Sequence, residues 1–286
     1  MPDPHSFDEL FTIQPYSFQY VDQQTSRNNQ EKLFQQWQKD SPVPLDRLRL
    51  VNFPHYTFDG TIQKDGCFVV LDAVAEHVKK IVQTLFEMKF PLESAIPIEQ
   101  FHGNDAASME ANNSSAYNCR KIAGENGRIS IHSYGLAIDI NPIQNPYIYF
   151  SSQDNQTEGR LNIAPLSGIP YMNRHKLLNE NQNGLCENIV DVFFQNGFTE
   201  WGGFWTTPLD WHHFQTPRTI AELLGVMDPE HATLFFESYV HAILHLHADP
   251  RKNIAPNTQD FAQQYTKNPR AFMNNYAKGS AVWSEF

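Results

Sequence analysis

Two short stretches of this sequence, widely separated along the chain, place imidazole and carboxylate side chains at the spacing of a metal site. The first contains His132 and Asp139, and the second contains Asp210 followed three residues later by His213. Two imidazoles and a carboxylate bind one metal ion only if the fold brings both stretches together. The chain must therefore place a local turn beside a strand that is remote in sequence.

His132, Asp139 and His213 are the three candidate ligands. A catalytic zinc ion has three protein ligands, leaves one position open for water and lowers the pKa of that water toward about 7. Asp210 is placed to accept the proton of this water and to return it to a leaving group. Arg120 is a candidate cation for a developing oxyanion. The pattern favours hydrolysis by an activated water.

Two further residues of the first stretch have supporting roles. Gly135 permits a tight turn that directs His132 and the following strand toward one point. Ser130 can orient an imidazole or contact a substrate group. Each residue, taken alone, also has an ordinary structural explanation as a cap, a turn residue, a salt-bridge partner or a buried histidine. The joint spacing, and no single residue, favours the metal site.

The segment Leu136–Asn141 alternates in hydropathy and predicts a short strand. Its apolar side chains would face the core, and Asp139 would lie on the open face of the sheet. His212 precedes His213 directly, and neighbours in a strand point to opposite faces. We therefore expect only one of the two to bind the metal, and the motif spacing selects His213.

A second histidine group, His241, His245 and His247, lies on the last predicted helix. Histidines four residues apart can share a helix face. No glutamate is placed as in a His-Glu-x-x-His site, so we interpret this group as structural or incidental.

Composition excludes several classes of partner. The net charge is −11 and no Lys/Arg cluster is present, so neither nucleic acid nor an anionic membrane surface is expected to bind. No apolar run reaches the length of a transmembrane helix, and the first residues lack the pattern of a secretory signal. The odd cysteine count allows one disulfide with a free thiol, or three buried thiols.

Three segments are predicted along the chain: an irregular N-terminal arm at 1–48, a domain with the candidate site at 49–218, and a helical C-terminal extension at 219–286. The sequence does not predict an oligomeric state.

Within the domain, Cys67–Leu71 predicts a buried strand, and the apolar positions after Asp72 predict a helix capped by that aspartate. Glu187–Asn196 predicts a second helix. The polar segments 103–129 and 143–183 predict loops.

The two stretches resemble a known family. Ser-x-His-x-x-Gly-x-Ala-x-Asp, followed by Asp-x-x-His-Phe, is similar to the zinc-dependent peptidoglycan peptidases of the D-alanyl-D-alanine carboxypeptidase and L-alanyl-D-glutamate endopeptidase type. The flanking segments Tyr117–Arg120, Asn141–Pro142 and Trp201–Gly203 agree as well. The resemblance covers about residues 49–218.

The resemblance implies an α+β fold, a small antiparallel sheet with helices packed on it, which is shared with the hedgehog signalling domain. It implies one Zn²⁺ on His132, Asp139 and His213, with Asp210 as general base and Arg120 polarising the scissile carbonyl. We expect Ser130 and Trp201 to contact the substrate. The implied substrate is a peptidoglycan stem peptide, which places the protein in the periplasm or outside the cell.

The resemblance does not select the scissile bond. The aspartate at position 210 resembles the endopeptidase branch more than the dipeptidase-like branch, which has glutamate there. Two alternatives stay open: a non-catalytic binding module that keeps the metal for structure, and a metal-dependent hydrolase of another small peptide. A structural site needs neither a base nor an oxyanion partner, so Asp210 and Arg120 favour the enzyme.

Overall fold

The computed structural model describes residues 4–19, 24–122, 127–151, 160–180 and 183–245. Over these residues the chain combines helices with three small antiparallel sheets, so the expected α+β class is confirmed. The helices are α1 (Gln24–Asp40), α2 (Ala75–Glu87), α3 (Asp105–Glu110), α4 (Arg174–Glu180), α5 (Val190–Gln195), α6 (Arg218–Val226) and α7 (Pro229–His245). The strands are β1 (Thr12–Pro15), β2 (Leu48–Tyr56), β3 (Ile62–Leu71), β4 (Ala137–Asp139), β5 (Tyr147–Ser151), β6 (Arg160–Ala164), β7 (Glu200–Trp201), β8 (Leu209–Asp210) and β9 (His213–Gln215).

The largest sheet has the order β1-β2-β3, and helix α2 packs against it. Val78, Ile81, Val82 and Leu85 form the buried face of α2, at the spacing that the sequence predicts. The predicted strand Cys67–Leu71 is confirmed as the second half of β3.

Asp72 does not cap α2, which differs from the prediction. The N-cap position is Val74, and Asp72 lies in a 3₁₀ turn that precedes the helix. Both Asp72 oxygens accept hydrogen bonds from the Arg47 guanidinium, at 2.7 and 3.0 Å. A bidentate pair with a buried arginine therefore takes the place of the cap.

The segment predicted as an irregular arm contains regular structure. Strand β1 pairs with β2, and helix α1 buries Trp37, which is 1% exposed. The Trp37 ring meets Tyr117 edge-on, with 5.1 Å between the ring centroids. The composition of this segment is polar, but Trp37 is a large apolar side chain. Its burial in the tertiary structure stabilises helix α1.

Both predicted loops contain elements, so the loop prediction is wrong in part. Segment 103–129 contains α3, and segment 143–183 contains the β5–β6 hairpin and α4. Strand β5 also pairs with β8, which places Tyr147 opposite Asp210. Pairing with a remote strand stabilises this hairpin, and local sequence patterns do not show such pairing.

The C-terminal helices α6 and α7 belong to the buried core through Ile220, Leu224, Phe235, Phe236 and Tyr239. The prediction of helices in this segment is confirmed as far as residue 245, and residues 246–286 lie outside the described residues. Within the described part of the chain, none of the helices has the length and apolar character of a transmembrane span.

Candidate metal centre

The second sheet brings the two sequence stretches together. Its order is β4-β9-β7, and the antiparallel register places Asp139 directly opposite His213. Predicted strand β4 is confirmed, but its outward face is not open. Ala137 and Asn141 are fully buried, as are the residues on the core-facing side. The Asp139 side chain is 13% exposed, so its carboxylate is largely buried.

A 3₁₀ turn at Ile131–Tyr134 positions His132, and Gly135 ends this turn. The φ angle of Gly135 is +69°, and a Cβ atom there would lie 2.7 Å from the backbone nitrogen of Leu71. Only glycine combines this left-handed conformation with such a close approach to β3. The predicted tight turn is confirmed.

His132, Asp139 and His213 form one compact group, whose ligand atoms all lie within 4.8 Å of one another. His132 Nε2 lies 3.2 Å from Asp139 Oδ2 and 3.1 Å from His213 Nδ1. His213 Nδ1 lies 2.9 Å from Asp139 Oδ1. The three predicted ligands are therefore brought together, and no other such group of His, Cys, Asp or Glu occurs among the described residues.

In each imidazole, the ring nitrogen directed away from the group has a hydrogen-bond partner. That partner determines which nitrogen of the ring has the hydrogen. His132 Nδ1 lies 2.6 Å from the carbonyl oxygen of Ala116, which only accepts, so Nδ1 has the hydrogen. His213 Nε2 lies 2.8 Å from Oε1 of Gln215, whose amide nitrogen donates to Glu200 at 2.5 Å. His213 Nε2 therefore has the hydrogen too.

This arrangement fits a divalent metal ion. The Nε2 atom of His132 and the Nδ1 atom of His213 direct their lone pairs into the same space beside a carboxylate. Two imidazole nitrogens with one carboxylate are a donor set typical of catalytic zinc. The acceptors behind the rings are the partners that metal-binding histidines usually have.

The electrostatics of the group favour an ionised carboxylate. Burial opposes the charge on Asp139, but the charges of His132 and His212 and its histidine hydrogen bonds outweigh it and hold its pKa well below the usual range. Burial also opposes the charge on His213, but the adjacent Asp139 raises its pKa. A cation, either a proton or a metal ion, is therefore strongly favoured between these side chains.

His212 lies beside the metal group but is directed toward Asp210. Its Nδ1 atom donates to the carbonyl oxygen of Asn145 at 2.8 Å, and its Nε2 atom lies 3.0 Å from Asp210 Oδ1. Strand β9 begins at His213, so strand alternation does not govern His212. Although burial opposes the charge, Asp210 and Asp139 raise the pKa of His212 to about 9.

Asp210 lies on β8 and is held by the segment Trp201–Gly203. A Cβ atom on Gly202 would lie 2.4 Å from the Asp210 carbonyl oxygen, so glycine is needed for β8 to approach. The Trp201 indole donates to the carbonyl oxygen of Trp211 at 2.8 Å. Oδ1 of Asp210 is buried without a well-aligned hydrogen bond among the described residues. Its contact is the 3.0 Å approach of His212 Nε2.

Trp201 itself is buried and stacks in parallel with Phe214, with 6.2 Å between the ring centroids. In this position Trp201 supports the segment that contains Asp210. A contact between Trp201 and a substrate stays a prediction.

Arg120 and Ser130 both precede the His132 turn, and the backbone nitrogen of Ser130 donates to the carbonyl oxygen of Arg120 at 3.0 Å. The Arg120 guanidinium forms an ion pair with Asp105, and its backbone nitrogen donates to Ser133 Oγ at 2.9 Å. Ser130 Oγ accepts from the backbone nitrogen of His132 at 3.3 Å, so it caps the turn. The proposed contacts of both side chains with a substrate stay predictions.

Sequence reasoning missed the residues behind the ligands. Gln215 follows His213 by two positions on a strand, so the two share a face, and this signal could have identified it. Ala116 and Asn145 contribute backbone oxygens, for which the sequence holds no signal.

All three cysteines are free thiols. The alternative of three buried thiols is confirmed only in part, because Cys67 and Cys119 are half-buried.

The interpretation of the second histidine group stays a prediction. His247 and the side chain of His245 lie outside the described residues.

Residues 123–216 match the family model of D-alanyl-D-alanine carboxypeptidase. The match includes His132, Asp139, Asp210 and His213, whereas Arg120 lies just before it. It covers less than half of the chain and supports membership of a D,D-peptidase-type family and activity as a peptidase. No curated protein and no solved structure shows significant similarity to the chain.

Proposed function

We propose that this protein is a zinc-dependent peptidase that hydrolyses a peptide bond in peptidoglycan stem peptides. One observation supports this most: Nε2 of His132 and Nδ1 of His213 converge beside Asp139, in the segment that matches the carboxypeptidase family. The proposal includes a hedgehog/D,D-peptidase type of α+β core and a peptidase domain at 49–218, of which the family match covers residues 123–216.

His132, Asp139 and His213 would hold the zinc ion. When bound, zinc supplies an acidified water and polarises a carbonyl group. Asp210 then has a defined role, because a carboxylate beside the bound water can accept its proton. The same carboxyl group returns the proton to the leaving amine. His212 keeps Asp210 in place through the 3.0 Å contact.

Arg120 would stabilise negative charge on the carbonyl oxygen. Its ion pair with Asp105 holds the guanidinium in one position before a substrate arrives. Ser130 and Trp201 complete the proposed substrate-contacting set. A peptidoglycan substrate places the protein in the periplasm or outside the cell.

Digestion of purified peptidoglycan, followed by mass spectrometry of the released fragments, tests this function. The expected result is release of a defined peptide or of D-alanine, and the fragment mass names the bond. Loss of zinc on chelation should abolish release, and added zinc should restore it. Asp210→Ala should release nothing, while Asp46→Ala removes an exposed carboxylate and should behave like the unmodified protein.

The same experiment separates the alternatives. Binding of peptidoglycan without any released fragment, in protein that contains zinc, would indicate a non-catalytic module. Hydrolysis of short unrelated peptides, with intact peptidoglycan left unchanged, would indicate a peptidase with another substrate.

A further inference from the structure

A cavity of about 540 Å³ lies at the end of the β2–β3 hairpin, away from the metal group. Its volume is within the range of small-molecule sites, which is roughly 300–1,000 Å³. The lining includes three carboxylates, Asp59, Asp65 and Glu93, and contains no lysine or arginine. The cavity shares no residue with the candidate metal centre, so a ligand bound in it would form a separate site.

His55 is the buried residue of this cavity. It is 3% exposed, and neither of its ring nitrogens has a hydrogen-bond partner among the described residues. Leaving a buried polar group without a partner is unfavourable. Such a residue at the base of a cavity is therefore suited to bind a ligand.

A β-bulge directs His55 into this position. The register runs from Phe53 opposite Gly66 to His55 opposite Gln63, so β3 has one extra residue beside Pro54. Bulges re-aim side chains, and proline, which has no N–H, is tolerated at them. The extra residue places Asp65 close enough to His55 to influence its charge.

Two of the three carboxylates are free to bind a ligand. Asp59 accepts hydrogen bonds from Thr57 Oγ1 and from the backbone nitrogen of Thr61, so it belongs to the hairpin turn. Asp65 and Glu93 are exposed and have no hydrogen bond or ion pair within the described ranges. They form an acidic rim above the buried imidazole.

The imidazole itself is neutral at neutral pH. Burial lowers the pKa of His55, and the opposing effect of Asp65 is weaker. A neutral imidazole has one accepting nitrogen, which can receive a hydrogen bond from a cationic donor.

We propose that this cavity binds a small organic cation with a primary ammonium group, held by Asp65, Glu93 and His55. Its three N–H groups match two carboxylates and one imidazole nitrogen. The ring of Phe58, which also lines the cavity, offers an apolar surface to the carbon chain. A metal ion fits less well, because the cavity is large for one ion and no compact ligand group forms there among the described residues.

Calorimetric titration of the full-length protein at low salt tests this site. The probe is 1,5-diaminopentane, and 1,5-pentanediol is the matched neutral probe. We expect the diamine to bind once per chain and the diol to bind at least about tenfold more weakly. Equal binding of the two probes, or no binding of the diamine, overturns the proposal.

Variants locate the site. Asp65→Asn combined with Glu93→Gln should weaken diamine binding at least about tenfold, whereas Glu76→Gln combined with Glu87→Gln removes the same charge from exposed positions of α2 and should change it less than about twofold. Similar losses in both double variants would show only general attraction by an acidic protein and would overturn the proposal.

Two further outcomes decide the ligand class. His55→Leu should weaken diamine binding at least about threefold, and unchanged affinity would remove the imidazole from the site and overturn the proposal. Calcium or manganese that competes with the diamine and requires Asp65 and Glu93 would show a metal site instead.

Discussion

The Nε2 atom of His212 lies 3.0 Å from Oδ1 of Asp210, so this imidazole contacts the proposed base. Its neighbour His213 directs Nδ1 to Asp139 at 2.9 Å. Two adjacent histidines therefore have different tasks. One belongs to the candidate metal group, and the other contacts the carboxylate that we propose as the base.

Zinc affinity should separate these two histidines. His213→Ala removes one of three ligands and should reduce zinc content from about one ion per chain to near zero. His212→Ala leaves all three ligands in place and should keep the metal. Metal analysis after dialysis measures both variants, and equal loss from the two would reassign the ligand.

Asp210→Asn should keep the zinc and lose hydrolysis. The amide has nearly the same shape but cannot accept a proton as a carboxylate does, and loss of a general base typically reduces rates by about 10²–10⁴-fold. Turnover of a stem peptide and zinc content, measured on the same sample, check this. A variant that retains full turnover would remove Asp210 from its proposed role.

Gln215→Leu should weaken zinc binding without removing a ligand. Gln215 fixes the hydrogen on His213 Nε2 and so leaves Nδ1 free to bind. Loss of such a partner typically lowers metal affinity by about 10–100-fold. Competition with a chromophoric chelator gives the affinity. Gln100→Leu replaces a glutamine in the 3₁₀ turn Ile98–Phe101 and serves as the matched control, so its affinity should not change.

Gly135→Ala should destabilise the fold strongly. The φ of +69° and a Cβ atom 2.7 Å from the Leu71 nitrogen combine backbone strain with a steric clash, so we expect a loss of about 3 kcal/mol in the free energy of unfolding. Gly60→Ala is the control: its φ is +83°, but nothing lies within 4 Å of its added Cβ, so the cost should be about 1 kcal/mol. Urea unfolding compares the two, and similar losses would contradict the steric argument.

Glu99 should make stability depend on pH. Burial raises the pKa of Glu99 to about 7, and its hydrogen bonds from Tyr16 and Gln19 oppose this only partly. Between its ordinary pKa of 4.5 and the folded value, the folded state holds a proton that the unfolded state has lost. Stability from this group is therefore full below the ordinary pKa and falls by up to about 1.4 kcal/mol per pH unit as pH rises toward the folded value.

Glu99→Gln should abolish this slope and be more stable than the unmodified protein at about pH 8, by about 2 kcal/mol. Urea unfolding across this pH range measures the effect. The exposed Glu76→Gln should leave the slope unchanged. A Glu99→Gln variant with the unmodified slope would show that another group titrates.

The sequence predicted the candidate ligands His132 and Asp139 because their spacing reflects local geometry. A 3₁₀ turn that ends at Gly135 and a strand that follows it are both formed by neighbouring residues, so the motif contains His132 and Asp139 at fixed positions. The face of helix α2 was predictable for the same reason, since its apolar period is local. Asp72 shows the limit of such patterns. Local patterns predict that its carboxylate caps helix α2, but the carboxylate instead forms an ion pair with Arg47, which is far from it in sequence.

By itself, the sequence determined the α+β class, the three candidate metal ligands and the acid beside them. Tertiary structure alone decided that Gln215 and Ala116 fix the histidine hydrogens, that His212 faces Asp210, and that β5 pairs with β8. The physical reason is that side-chain identity and local spacing are properties of the chain. Hydrogen-bond partners and strand pairing exist only after remote segments have packed together, and burial then sets their strength.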